Sequence, residues 1–356
     1  MPERIPVAVL AATGSVGQRF VQLLDGHPWF EVVALTGSDR TVGHTYRESC
    51  HWILAEPMPE WAAKLTILPS EPASLQTALV FSALPADIAR TVEPEFARAG
   101  MTVCSNASAY RQEVDVPILL PEINPQHAGL VTIQRRKRGW KGCITTNPNC
   151  TSTGLAVVLK VLDLNFGLKK AFVVSLQALS GAGYPGVASL DILDNVIPYI
   201  GGSEEDKVEW EPRKMIGRLE GDAIRMSDCV ISAHTNRVAV SDGHMVCLSV
   251  ELDKKPARAE VFQALSAYEA PPESCDLPSA PHPVIVMKEE TDRPQPRLDR
   301  MTGKGMTTVV GRLRPDPLFD YKMVILSHNT IRGAAGGSIY NAELLVKMGL
   351  VGTKVF

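Results

Sequence analysis

Nothing in this chain pairs its cysteines. Cys50, Cys104, Cys143, Cys150, Cys229, Cys247 and Cys275 are odd in number and scattered, with no C-x-x-C among them. That argues against a zinc cluster and against a disulfide framework, and no metal is expected. Long apolar runs are missing as well, so no membrane-spanning helix is expected. The opening MPERIPVAVL enters a strand-like run with no charged n-region and no Arg/Ser-rich presequence, and the expected compartment is the cytoplasm. Charge of one sign is also lacking. A net charge of −3 gives no electrostatic grip on nucleic acid or on an anionic membrane. One basic run, Arg135 to Arg138 beside Gly139, has no aromatic interleaving and no second patch, so it reads as a solvated loop.

What is present is 356 residues, 45% hydrophobic and 21% charged, the composition of a globular protein of about two domains. In the first half short apolar runs alternate with helical patterns. Strands are expected at 5–10, 31–35, 79–83 and 101–104, with a helix over 88–99. Nearly all-apolar strands separated by helices predict a parallel sheet covered on both faces. After a helix over about 151–162 the pattern changes. Stretches at 171–179, 228–240, 245–252, 307–313 and 321–327 predict a mixed or antiparallel sheet. A helix is expected over 204–217, bent or broken by Pro212, and a surface loop over the Pro- and Ser-rich 268–284. The fold class is therefore α/β: a Rossmann-like dinucleotide-binding domain over 1–149, completed by a C-terminal helix within 330–356, and an α+β domain with a mixed or antiparallel sheet over 150–329.

AATGSVG lies between the first strand and a helix, where backbone amides at a helix N-terminus can meet a pyrophosphate. Gly14 and Gly17 are three apart, and Ala11 stands where a first glycine is common. At the end of the second strand, Ser38 and Arg40 suit the 2′-phosphate of NADP, while Asp39 keeps NAD open.

TTNPNC (145–150) precedes an apolar helix, which puts Cys150 in a first turn whose free amides are expected to stabilise a thiolate and lower its pKa. Asn149 and Thr151 are cap-type residues. A thiolate nucleophile needs a partner for proton transfer. Of eight histidines, His244 stands out, in a Gly-containing turn just before a strand. His234 and His328 sit in apolar runs and read as structural.

These segments together resemble the aspartate-semialdehyde dehydrogenase family, in its fungal and archaeal branch. The resemblance rests on AATGSVGQ, SNAS-x-YR (105–111), VPILLPEIN, TNPNC, SLQALSGAGYPG (175–186), EEDK (204–207), NRVAVSDGH (236–244) and NTIRGAAGGSIYNAELL, in order over nearly the whole chain. It implies Cys150 as nucleophile, Gln177 as the residue orienting the acyl-enzyme and His244 as general acid/base. It implies Arg237 for a substrate carboxylate, Glu204 (or Glu205) for its amino group, and Lys207 and Arg111 for phosphate, with Asn149 beside the substrate. A planar guanidinium suits a carboxylate bidentately. NADP is then expected along Thr13, Gly14, Ser15, Val16 and Gly17, with Ser38, Arg40, Ser82, Leu84, Ser105, Gly181, Gly183, Asn329 and Gly333. The implied reaction is reductive dephosphorylation of L-4-aspartyl phosphate to L-aspartate 4-semialdehyde, by a homodimer or homotetramer with 150–329 as the catalytic and dimerisation domain. Malonyl-CoA reductase and other acyl reductases share the plan. A nucleotide-binding regulatory protein with a dead site is the reading of another class, and the intact Cys150, Gln177, Arg237 and His244 speak against it.

Overall fold

The structure is a computed structural model that describes residues 4–351; the rest of the expected 330–356 segment, 352–356, lies outside the described residues. The first six strands are β1 (Ile5–Leu10), β2 (Phe30–Thr36), β3 (Ile67–Leu68), β4 (Leu79–Ser82), β5 (Thr102–Ser105) and β6 (Cys143–Thr146). They form one parallel sheet in the order β3-β2-β1-β4-β5-β6. Its centre is apolar on both faces, as in β4, where all four residues are buried. The order reverses between β1 and β4, and a crevice opens beyond the carboxyl ends of strands at such a point. AATGSVG follows β1 directly into that crevice.

The loop's local chemistry suits the place. The helix Ser15–Leu23 starts at Gly14, which offers no side-chain cap, so first-turn amides stay open. A Cβ on Gly17 would lie 2.4 Å from the Ala11 carbonyl oxygen, so only glycine lets the helix pack this close to β1. Ala11 adopts φ 54°, a left-handed conformation that costs a non-glycine residue about 1 kcal/mol. The chain thus keeps the turn without the glycine.

The second sheet contains β7 (Leu168–Gln177), β8 (Ile197–Pro198), β11 (Val230–Arg237), β12 (His244–Leu252), β13 (Ile285–Lys288), β14 (Thr308–Pro315) and β15 (Tyr321–Ser327), while β9 (Arg218–Glu220) and β10 (Ala223–Arg225) form a separate hairpin. The order β13-β14-β15-β12-β7-β11-β8 mixes parallel pairs (β11 with β7, β13 with β14) with antiparallel ones. One face is covered by the helix Cys150–Phe166, whose residues 151–162 are all buried. Leu155, Val158 and Leu162 share a core with Val173, Val246 and Ile325 of the sheet and with Val208 and Met215 of the helix Glu204–Ile216. Burial on every side explains why that helix has no polar stripe. The last helix, Gly336–Lys347, returns to the first sheet, where Ile339, Tyr340 and Leu344 join Val7, Phe20 and Phe81 in one cluster. Among the described residues no helix is long and apolar enough to cross a membrane.

Three local expectations need correction. The basic run is not a loop: it ends the helix Leu130–Arg138, closed by Gly139 at φ 65°. Cations suit a helix C-terminus, and each finds a partner. Arg135 donates to the Leu350 carbonyl (2.6 Å), Arg136 to both oxygens of Asp222, and Arg138 to Asp115 and Glu113. Pro212 does not break its helix, which runs unbroken from Glu204 to Ile216. The 268–284 segment is partly interior, with Ser274 and Leu277 buried and the Ser274 hydroxyl donating to the Pro121 carbonyl.

Candidate active site

Cys150 opens its helix and is half-buried. The turn before it is pinned: Asn147 Nδ2 donates to the Asn106 side chain (3.0 Å) and to the Ala334 carbonyl (2.5 Å). Asn149 is the cap, and its Oδ1 accepts from the amides of Thr151 (2.9 Å) and Ser152 (3.2 Å). Two of the first-turn amides expected to hold a thiolate are therefore taken, while the Cys150 amide still favours it. Burial, reinforced by the charge of Glu204, pushes the Cys150 thiol up to about 12, against the pull of Arg111 and Arg237. The expected depression of the thiol is reversed, because desolvation outweighs the helix end.

His244 begins β12 after Gly243, whose φ of 97° makes the turn. Its Nε2 lies 3.2 Å from Cys150 Sγ, and its Nδ1 accepts from the Ala178 amide at 3.1 Å. With Nδ1 an acceptor, the neutral ring carries its proton on Nε2, facing the sulfur. Protonating Nδ1 would set two N–H groups against each other. Burial, then the nearby Arg237 and His328, lowers the imidazole to about 3. His244 is thus a neutral hydrogen-bond donor toward sulfur.

The sheet supplies two more groups. Gln177 ends β7 and Arg237 ends β11, paired in register. Gln177 Nε2 donates to Glu204 Oε1 (3.1 Å), and Arg237 Nη1 donates to the Ala178 carbonyl (2.7 Å). Glu204 Oε1 also accepts from Asn149 Nδ2 at 2.8 Å. Glu205 turns away to accept from the Thr235 amide, which places Glu204 at the site. Lys207 Nζ donates to the Gly202 carbonyl (2.6 Å) and lies 3.8 Å from Glu204 Oε2. Arg111 is buried and held by Glu211 and the Asn106 carbonyl.

Thr13 and Gly14 turn from β1 into the helix that Ser15, Val16 and the buried Gly17 begin, and Ser38, Asp39 and Arg40 are exposed beyond β2. A cavity of about 610 Å³ runs from Ser15 to Ser180, Gly183, Asp242 and His328. Asn329 ties its walls together, accepting from the Gly243 amide and donating to Ser180 Oγ, both at 2.8 Å. Gly181 and Gly333 sit against Arg237, His244 and Cys150. A Cβ on Gly181 would lie 2.8 Å from Arg237 Nη1, and one on Gly333 2.9 Å from Cys150 Cβ. Leu84 is buried after β4, and Ser82 and Ser105 are buried at their strand ends, with Ser105 Oγ donating to Glu93 (2.6 Å). Ala178, Ser180 and Glu211 escaped the sequence reading. Ala178 and Ser180 lie within the SLQALSGAG segment already singled out, but Glu211 carried no such signal.

Glu93 carries a stability prediction. Burial raises its carboxyl from 4.5 to about 7. A raised acid stabilises the fold fully below its unfolded pKa, and the contribution fades as pH climbs through the folded value. Between pH 4.5 and 8 wild type should lose about 3 kcal/mol relative to Glu93→Gln. Thermal midpoints of both proteins across that range check this, and parallel curves would refute it.

Residues 6–130 match the family described as semialdehyde dehydrogenase, NAD binding domain, and residues 159–332 the one described as semialdehyde dehydrogenase, dimerisation domain. The chain is 51% identical to the aspartate-semialdehyde dehydrogenase of Archaeoglobus fulgidus, over 97% of this chain and 98% of that one. It is 43% identical to the Schizosaccharomyces pombe enzyme, over 97% and 99%. Its fold matches the crystal structure of the Candida albicans enzyme with NADP at a TM-score of 0.90 and 40% identity, covering 98% of this chain and all of that one. With a thiol and an imidazole in contact beside a dinucleotide crevice, and with relatives alike from end to end, the chain belongs to the aspartate-semialdehyde dehydrogenase family.

Proposed function

We propose that this chain performs its family's reaction as the reversible, NADP-dependent reductive dephosphorylation of L-4-aspartyl phosphate to L-aspartate 4-semialdehyde, through a thioester on Cys150, in the biosynthesis of lysine, threonine, methionine and isoleucine. The observation that carries it is the 3.2 Å contact of Cys150 Sγ with His244 Nε2, surrounded by Gln177, Arg237 and Glu204. Arg237 takes the substrate α-carboxylate and Glu204 its ammonium. Lys207 and Arg111 face the phosphate. The Cys150 S–H bond breaks as its sulfur bonds to the acyl carbon, the carbon–oxygen bond to phosphate breaks, and the thiol proton leaves on the departing phosphate. Gln177, tied to Glu204, orients the acyl group. His244 Nε2–H donates to sulfur whenever it carries negative charge, as attacking and as leaving thiolate.

The uncapped helix start at Gly14, the glycine-only contact at Gly17 and the exposed Ser38 and Arg40 fit a dinucleotide with a 2′-phosphate. When bound, NADPH supplies the hydride that reduces the thioester carbonyl. A phosphate-dependent NADP reduction assay on aspartate semialdehyde, run beside a malonyl-CoA assay, tests the reading. Turnover with malonyl-CoA alone would overturn it.

The chain carries a dimerisation domain. Its assembly as a homodimer or homotetramer would use the uncovered face of β7, β12 and β15, where register aligns Val174, Cys247 and Val324. Val174→Asp puts a charge at the centre of that face and should shift the mass by light scattering toward the single chain. An unchanged mass would place the interface elsewhere.

A further inference from the structure

We infer that Glu211 is a positioning residue for the phosphate end of the reaction: one buried carboxylate fixes both Arg111 and the peptide that carries the nucleophile. This rests on the roles proposed above for Arg111 and Cys150.

Glu211 lies two turns into the helix Glu204–Ile216 and is fully buried. An acid there needs partners, and it has two from distant parts of the chain. Oε1 accepts from Arg111 Nη1 at 2.9 Å, across 100 residues of sequence. Oε2 accepts from the Asn149 amide at 2.5 Å. That amide precedes Cys150, and the Asn149 side chain caps the Cys150 helix. The Arg111 guanidinium gives one N–H to Glu211 and one to the Asn106 carbonyl (2.9 Å), while Nε has no partner among the described residues. A planar fork held at two corners has its remaining donors aimed.

The next turn of the same helix completes the clamp. Lys214 Nζ donates to the carbonyls of Arg111 (2.7 Å), Glu113 (2.8 Å) and Val116 (2.9 Å), so it grips the backbone of the Arg111 loop. Glu204, Lys207, Glu211 and Lys214 recur at helical spacing on one face. The first two end at the substrate cleft. The second two bind that cleft to the Arg111 loop and the Cys150 turn, so the three move as one piece.

The test is steady-state kinetics of wild type, Glu211→Gln and Glu211→Asp with aspartate semialdehyde, phosphate and NADP. Gln can still accept from the Asn149 amide, but its NH2 would face Arg111 and release it. Glu211→Gln should raise the KM for phosphate about tenfold while the KM for aspartate semialdehyde stays within about twofold. Glu211→Asp keeps the charge and should recover part of the phosphate KM, and it answers the question if the Gln variant fails to fold. An unchanged phosphate KM in a folded variant, or both KM values rising together, overturns the inference. Absence of phosphate-dependent turnover in wild type would instead overturn the proposed function.

Discussion

Replacing Cys150 with alanine should remove turnover, lowering kcat by at least about 10⁴-fold, while NADP still binds. The substitution deletes one sulfur and nothing that packs the helix, since Asn149 supplies the cap and Gly333 the close contact. The cofactor crevice follows β1 in the other sheet, so binding followed by fluorescence or calorimetry should be near wild type. Cys104 and Cys143 are buried inside the first sheet, where burial raises their thiols, and the contact with His244 belongs to Cys150. Residual turnover above about one per cent of wild type would mean that another group forms the acyl-enzyme.

Arg237→Leu should cost about 10³-fold in kcat/KM, equivalent to about 4 kcal/mol, mostly through the KM for aspartate semialdehyde. Arg237 is buried at the end of β11 with one donor spent on the Ala178 carbonyl, and the proposed role uses the others on a carboxylate. Leucine fills much of the volume but leaves two partners unpaired: the Ala178 carbonyl in the free enzyme and the substrate carboxylate in the complex. Arg237→Lys keeps the charge without the fork and should fall between the two. Unchanged kinetics in the leucine variant would assign carboxylate recognition elsewhere.

The layout was legible from local pattern. Nearly all-apolar strands announced the parallel sheet, and an apolar run behind Asn-Pro-Asn announced the Cys150 helix. What was not legible depends on partners far away in the chain. The state of the Cys150 thiol is set by burial and by a side chain 54 positions on, Glu204, neither of which a helix-start argument contains. Glu211 sits in EWEPRKM, where an acid reads as solvent-facing, and only the fold brings Arg111 to it. The basic run looked solvated because its partners, Asp222 and the Leu350 carbonyl, come from the hairpin and from near the chain's end. Glu204 could not be chosen over Glu205 on spacing. One residue of helix rotation separates a cleft from the edge of β11.

Gly181 and Gly333 have a consequence for redesign. Each abuts a reacting group so closely that a methyl would press on Arg237 and the His244 ring in one case and on Cys150 in the other. These walls are bare backbone and cannot be trimmed further or built outward. A wider range of acyl groups therefore cannot be engineered at these two positions. The adjustable side chain is Lys207, which ends on the Gly202 carbonyl, whereas Glu204 holds Asn149 and Gln177 and has to stay.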